Sequence, residues 1–301
     1  MSTIDKIQEL KKRRDAVILA HYYVDDKVQA IADYVGDSFY LSKVATTVEA
    51  KTILFCGVSF MGESAKILNP EKTVIMPDMQ ADCPMAHMAE PEKISRMRRE
   101  YEDLAVVCYI NSTAELKTYS DVCVTSSNAV KIVRALPNRH IYFIPDENLG
   151  RYAASQVPEK HFIFNDGFCH VHTSISAENV RKAKEAHPGA EILVHPECTL
   201  EVTKLADYIG STSGIIDFAT SSPAGEFIIC TEMGVLYELR QKNPGKRFYS
   251  VGHRQFCPNM KRISLEKIED ALESMSNTVE LPEERRLLAL RPLERMLQLG
   301  S

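Results

Sequence analysis

The chain has 301 residues, 45% of them apolar, enough to bury the cores of two or three domains. Its net charge of −5 argues against a general nucleic-acid binder, and no uninterrupted apolar run approaches the ~20 residues of a membrane span. Eight cysteines follow a start, MSTIDKIQELKKRRD, that reads as a polar amphipathic helix without a signal-peptide core; this predicts a cytoplasmic protein with reduced thiols rather than a disulfide framework.

After that first helix comes AVILAHYYVDDKVQAIADYVGDS (16–38), and its pattern returns twice, in AVVCYINSTAELKTYSDVCVTSS (105–127) and AEILVHPECTLEVTKLADYIGSTS (190–213). Each copy opens with a β-branched apolar run typical of a buried strand. Polar groups follow at alternating positions: His21 and Tyr23, Tyr109 and Asn111, His195 and Glu197. A helical pattern, a short apolar run and a Ser/Thr-rich corner complete each copy. His21 to Ser38, Tyr109 to Ser126 and His195 to Thr212 each span seventeen residues.

A second strand pattern follows at 52–58, 140–146 and 226–232, then a helix-like stretch. A third strand, opened by a lysine, is expected in KTVIMPDMQADC (72–83), KHFIFNDGFC (160–169) and KRFYSVGHRQFC (246–257). Each runs into a cysteine, and Cys83, Cys169 and Cys257 lie 62, 60 and 62 residues beyond His21, Tyr109 and His195. Helices are expected at 91–102, 176–187 and 264–275, and LPEERRLLALRPLERMLQL (281–299) reads as a helix packed on the outside. The pattern predicts three α/β repeats of roughly 85 residues: 1–87, 88–173, and 174–301 with C-terminal helices. Each is expected to be a three-layer α/β/α domain with a parallel sheet, the three set about a pseudo-threefold axis. Their strand ends then converge on one central site.

Cys56, Cys108, Cys123 and Cys230 sit inside apolar runs and read as core thiols. Cys83, Cys169 and Cys257 sit in polar, turn-rich settings and read as joint metal ligands. Three thiolates suit zinc or an iron–sulfur cluster. With no CxxC pair, a zinc ribbon is out; one distant cysteine per repeat suits a four-iron cube with one iron open to substrate. The corners GDS (36–38), TSS (125–127) and STS (211–213) precede helix starts, where serine and threonine cap and anions bind. Three in register predict a small ligand with several anionic groups. Glu197 and the two strand-end histidines are candidate proton carriers, as is Tyr23 if its pKa is lowered. His170 and His172 are open between structural and cluster-neighbour roles. In HPEC (195–198) the repeat points His195 and Glu197 at substrate and leaves Cys198, which has no counterpart thiol, as a bystander.

AHYY (20–23), GDS, PDMQADCPMA (77–86), YINSTAELK (109–117), VTSSNAVK (124–131), PDENLG (145–150), GFCHVH (167–172), HPEC, GSTSG (210–214) and FCPNMK (256–261) together resemble the quinolinate synthase family, the A protein of de novo NAD synthesis. The resemblance covers nearly the whole chain. It implies condensation of iminoaspartate with dihydroxyacetone phosphate to quinolinate, with loss of phosphate and two waters. It implies a [4Fe-4S] cluster on Cys83, Cys169 and Cys257, its fourth iron open as a Lewis acid. Substrate contacts would be His21, Ser38, Tyr109, Asn111, Ser126, His195, Glu197 and Thr212, with Glu197, Tyr23 and His21 handling protons. The expected partners on this reading are these small molecules and, transiently, the oxidase that makes iminoaspartate. The rival readings are a zinc-dependent lyase or hydrolase on the same cysteines, and a non-catalytic binding or redox-sensing protein.

Overall fold

The computed structural model describes residues 2–252 and 255–300. His253 and Arg254, inside the expected strand-to-cysteine stretch 246–257, lie outside the described residues. Among these described residues twelve strands form three sheets. The first contains β1 (Ala16–His21), β2 (Tyr34–Gly36), β3 (Thr52–Cys56) and β4 (Thr73–Ile75). The second contains β5 (Leu104–Tyr109), β6 (Val122–Val124), β7 (His140–Ile144) and β8 (His161–Phe164). The third contains β9 (Glu191–Val194), β10 (Tyr208–Ile209), β11 (Glu226–Cys230) and β12 (Arg247–Ser250). All pairings are parallel, and the spatial orders are β2-β1-β3-β4, β6-β5-β7-β8 and β10-β9-β11-β12, the same order three times. Helices separate the strands in sequence and cover the sheets, giving the expected three α/β/α layers.

Each sheet has one strand more than the three predicted. The short apolar runs before the Ser/Thr corners are β2, β6 and β10, edge strands of two or three residues. Runs this short carry no readable period. An aspartate secures each one. Asp33, Asp121 and Asp207 accept the backbone N–H of Ile18, Val106 and Ile192 at 2.8, 2.7 and 2.8 Å. Their own N–H groups donate to the carbonyls of the same three residues. The lysines that open the last strands also have one job in common. Lys72, Lys160 and Lys246 donate to the carbonyls of Val48, Leu136 and Ser222, the C-caps of helices 38–47, 129–135 and 212–221. A cation there satisfies the orphan carbonyls of a helix end.

Central strands are buried on both faces, as parallel sheets require. In β11, Phe227 and Ile229 pack into one core while Ile228 and Cys230 pack into the other. The N-terminal helix Thr3–Arg13, closed by a Ser2–Asp5 capping box, packs on helix Leu265–Ser274. The C-terminal helix Glu283–Gly300 lies across helices 59–68, 114–118 and 129–135. It buries Ala289, Leu293 and Met296, so its apolar stripe is core. Among the described residues no helix is long and apolar enough to cross a membrane.

The last strands stop earlier than expected, at Ile75, Phe164 and Ser250, and loops carry the chain on to the three cysteines. Replacing Asp121 with alanine strands the Val106 N–H and is expected to lower unfolding free energy by about 1–2 kcal/mol. Urea denaturation with an unchanged slope is the measurement.

Candidate active site

The carboxyl ends of the strands surround one cavity. His21 and Tyr23, Tyr109 and Asn111, and His195 and Glu197 all line it, one pair from each repeat. So do Ser38, Ser126 and Thr212, and so do Cys83, Cys169 and Cys257. Every residue singled out in the sequence as a ligand or substrate contact therefore borders one space. Cys198 does not line it: its thiol turns to the carbonyl of Cys230 at 3.4 Å. HPEC is a turn rather than extended chain, closed by the Cys198 N–H on the His195 carbonyl at 2.9 Å.

His21 and His195 have matching geometry. Nδ1 of each accepts the backbone N–H two residues on, from Tyr23 at 3.2 Å and from Glu197 at 3.3 Å. With Nδ1 accepting, the ring proton resides on Nε2. Burial pushes both pKa values down to about 3. Near neutral pH both rings are therefore uncharged N–H donors. Burial disfavours charge on Glu197 as well, but the adjoining His172 ring outweighs it and holds the carboxyl below the usual range. Its Oε2 lies 2.8 Å from Nδ1 of His172, and the Tyr109 hydroxyl donates to Oε1. Burial, with the Glu197 charge nearby, pushes the phenols of Tyr23 and Tyr109 well up. Tyr23 is thus a neutral phenol, opposite to the lowered pKa that direct proton carriage at neutral pH requires.

The corners differ from one another. Ser211 caps helix 212–221 by accepting the Gly214 N–H, with Thr212 as its first residue. Helix 38–47 is capped by Asp37 instead, through the Tyr40 N–H, and this carboxyl also borders the cavity. In the second repeat a turn closed by Asn128 on the Thr125 N–H intervenes before helix 129–135. Asn111 Oδ1 is buried without a hydrogen-bond partner among the described residues, as expected of a group waiting for a ligand.

Each cysteine precedes a short helical turn whose N–H groups reach back to its sulfur. Burial pushes all three thiols up, Cys83 to about 12, while the N–H groups of Ala86, His172 and Met260 respectively work in the opposite direction. Sequence reasoning left His172 undecided; the structure buries it in the site. Its Nδ1 is 3.2 Å from the Cys169 sulfur, and its ring stacks on His195 at 4.6 Å. The ligand atoms of Cys169, His172 and Glu197 lie within 4.8 Å of one another. His170 borders the cavity without such ties. Glu232 and Thr231 were missed. Glu232 is fully buried, accepts the N–H of Cys257 at 3.0 Å and pairs with Lys261 at 3.3 Å. Lys261 in turn donates to the Tyr23 carbonyl at 2.8 Å, tying the Cys257 loop to the first repeat.

The family model for quinolinate synthetase A protein matches residues 5–298. Proteins named quinolinate synthase are similar throughout. That of Fusobacterium nucleatum is 54% identical over 99% of both chains, and that of Clostridioides difficile is 49% identical over 98% of this chain and 97% of its own. One from Caldicellulosiruptor saccharolyticus is 55% identical over 89% of this chain and 88% of its own. The chain belongs to the quinolinate synthase family. The family model spans all three sheets and all three cysteine loops, so no repeat is an addition to it.

The buried histidines of this quinolinate synthase family member set a pH dependence of stability. Their folded pKa lies below the unfolded value, so as pH falls below about 6.5 the unfolded chain binds protons that the folded chain refuses. Each costs up to about 1.4 kcal/mol per pH unit. The urea midpoint is expected to fall between pH 7 and pH 5.5, and His21→Gln is expected to flatten that slope.

Proposed function

We propose that the chain catalyses the quinolinate synthase reaction: iminoaspartate and dihydroxyacetone phosphate give quinolinate, phosphate and two waters. The observation that carries this reading is the convergence of donors, anion-binding corners and three thiols, drawn from all three repeats, on one cavity. The substrates bring two carboxylates and a phosphate. The Nε2–H groups of His21 and His195, the open helix start at Thr212 and the hydroxyls of Ser38 and Ser126 are suitable partners for them. The unpaired Asn111 Oδ1 adds a further polar contact, as an acceptor.

The donor set supports a [4Fe-4S] cluster on Cys83, Cys169 and Cys257. There is one thiol per repeat, each offered backbone N–H groups by the following turn, which favour its ionised form. When bound, such a cluster with one open iron supplies Lewis acidity toward a departing hydroxyl. The protein's own part is proton handling. Ionised Glu197 is the base that takes a proton from the condensing substrates, with Tyr109 and His172 stabilising its charge before the transfer. Tyr23 serves as a neutral phenolic donor, and His21 as a fixed N–H donor that orients an anionic group. The overall reaction leaves the redox level unchanged, so the cluster need pass no electrons. The transient partnership with an iminoaspartate-forming oxidase and the cytoplasmic setting belong to the same reading.

The close Cys169–His172–Glu197 set also suits zinc, which keeps the metal-dependent lyase as the second reading. Anaerobic purification followed by iron, sulfide and zinc analysis separates them. Iron and acid-labile sulfide near four each per chain support the cluster; zinc without sulfide supports the rival. Cluster-loaded protein is expected to form quinolinate from iminoaspartate and dihydroxyacetone phosphate, and no product would sink the proposal. Glu197→Gln is expected to lower kcat by about 100-fold or more with iron content retained.

A further inference from the structure

The wall of the active-site cavity is poor in positive charge. Asp37, Glu197 and Glu232 border it, and among the described residues no lysine or arginine does. The chain as a whole carries a net charge of −5. The helix start at Thr212 attracts anions only within about a turn of itself. A field that reaches an approaching anion has to come from a full charge near the mouth.

A second recess holds such a charge. Its lining includes Asp37, Phe39, Tyr40, Lys43, Ser127 and Ser213. Asp37 borders the inner cavity too, and Ser127 and Ser213 directly follow Ser126 and Thr212 of the inner wall. The recess therefore lies over all three corners, and Tyr40, Lys43 and Ser127 open it to solvent. Among the described residues Lys43 is the only cation bordering it. Its Nζ sits 5.5 Å from the centre of the Phe39 ring and has no ion pair or hydrogen bond among the described residues. A cation over a ring face is held without its charge being neutralised. The nearby Asp37 carboxyl is engaged elsewhere, accepting the Tyr40 N–H at 3.0 Å as the cap of helix 38–47.

We propose that this recess is the mouth of the active-site cavity and that Lys43 is its electrostatic capture residue. It raises the concentration of anionic substrate over the three corners before any directed donor is reached. On the proposed reaction both substrates are doubly charged near neutral pH, one through two carboxylates and one through a phosphate, so each feels the lysine twice as strongly as a monoanion does.

The inference rests on the proposed reaction, and the test separates the two. In the cluster-loaded enzyme at low ionic strength, Lys43→Gln is expected to raise KM for dihydroxyacetone phosphate about 3- to 10-fold, and Lys43→Glu to raise it further, with kcat within about twofold. Salt at about 0.5 M is expected to close most of the gap, because it screens a field acting from the mouth. Lys182→Gln removes the same charge from helix 177–186, which borders neither space, and is expected to leave KM in place. Binding gives a readout without turnover: calorimetric titration of the same proteins with inorganic phosphate is expected to show the same order of weakening, again lost at high salt. Parent protein that forms no quinolinate would overturn the reaction assignment, while the phosphate titrations still decide the role of Lys43. A parent-like KM and phosphate affinity in Lys43→Glu, an effect unchanged by salt, an equal effect of Lys182→Gln, or no phosphate binding by the parent protein would overturn the capture role itself.

Discussion

The site is organised around one buried negative charge. Glu197 is 3% exposed, yet the His172 ring and the Tyr109 hydroxyl keep it ionised. An isolated carboxylate so deep in a protein would neutralise itself or destabilise the fold. Both of its partners come from the second repeat, while Glu197 belongs to the third. The electrostatic requirement of one side chain therefore holds two repeats in register. His172 Nε2 meets the Thr231 hydroxyl at 2.9 Å and that hydroxyl meets the Tyr23 hydroxyl at 2.8 Å, so the same network reaches the first repeat. The neutral state of His21 and His195 belongs to the same balance: burial removes their charge, and Nδ1 of each is occupied by its own backbone. What remains around the carboxylate is a set of directed donors with fixed geometry.

The frame that presents these donors is built from interactions repeated three times. Asp33, Asp121 and Asp207 clasp the edge strands; Lys72, Lys160 and Lys246 close the helix ends. Neither set touches the cavity. They place the strand ends and the cysteine loops at equivalent positions, so that side chains there can differ while the backbone does not. The cysteine turns show this separation within a few residues. The N–H groups of Ala86, His172 and Met260 serve the three sulfurs alike, but only His172 brings a ring that engages Glu197.

This separation also explains what was legible in the sequence. A repeat makes positions visible when they carry chemistry in every copy. The strand-end pairs, the corner hydroxyls and the three cysteines were found that way, and the parallel α/β architecture followed from the strand and helix alternation. Thr231 and His172 were not, because their counterparts are Gly57 and Pro145, and Ala86 and Met260, which carry no comparable group. Glu232 is aligned with Val58 and Asp146, too mixed a column to stand out. The edge strands β2, β6 and β10 were too short to show a period, although the aspartate that begins each is present in all three copies. The capping of the first corner by Asp37 was written in GDS but read through its serine.

The departures from symmetry have a direction. The third repeat supplies the carboxylate, the Ser211-capped helix start and the Thr231 link, and its cysteine loop is anchored by Glu232 and Lys261 to the first repeat. The first corner, by contrast, carries the Asp37 carboxylate at the cavity wall, which opposes an anion that the helix start alone would attract. The three corners are therefore unequal, with a carboxylate at the Ser38 corner and a serine cap at the Thr212 corner. On the proposed reaction, an anionic substrate meets these unequal corners rather than a symmetric ring, and a group held at Thr212 lies beside the neutral phenol of Tyr23, where a donor of fixed direction is of most use.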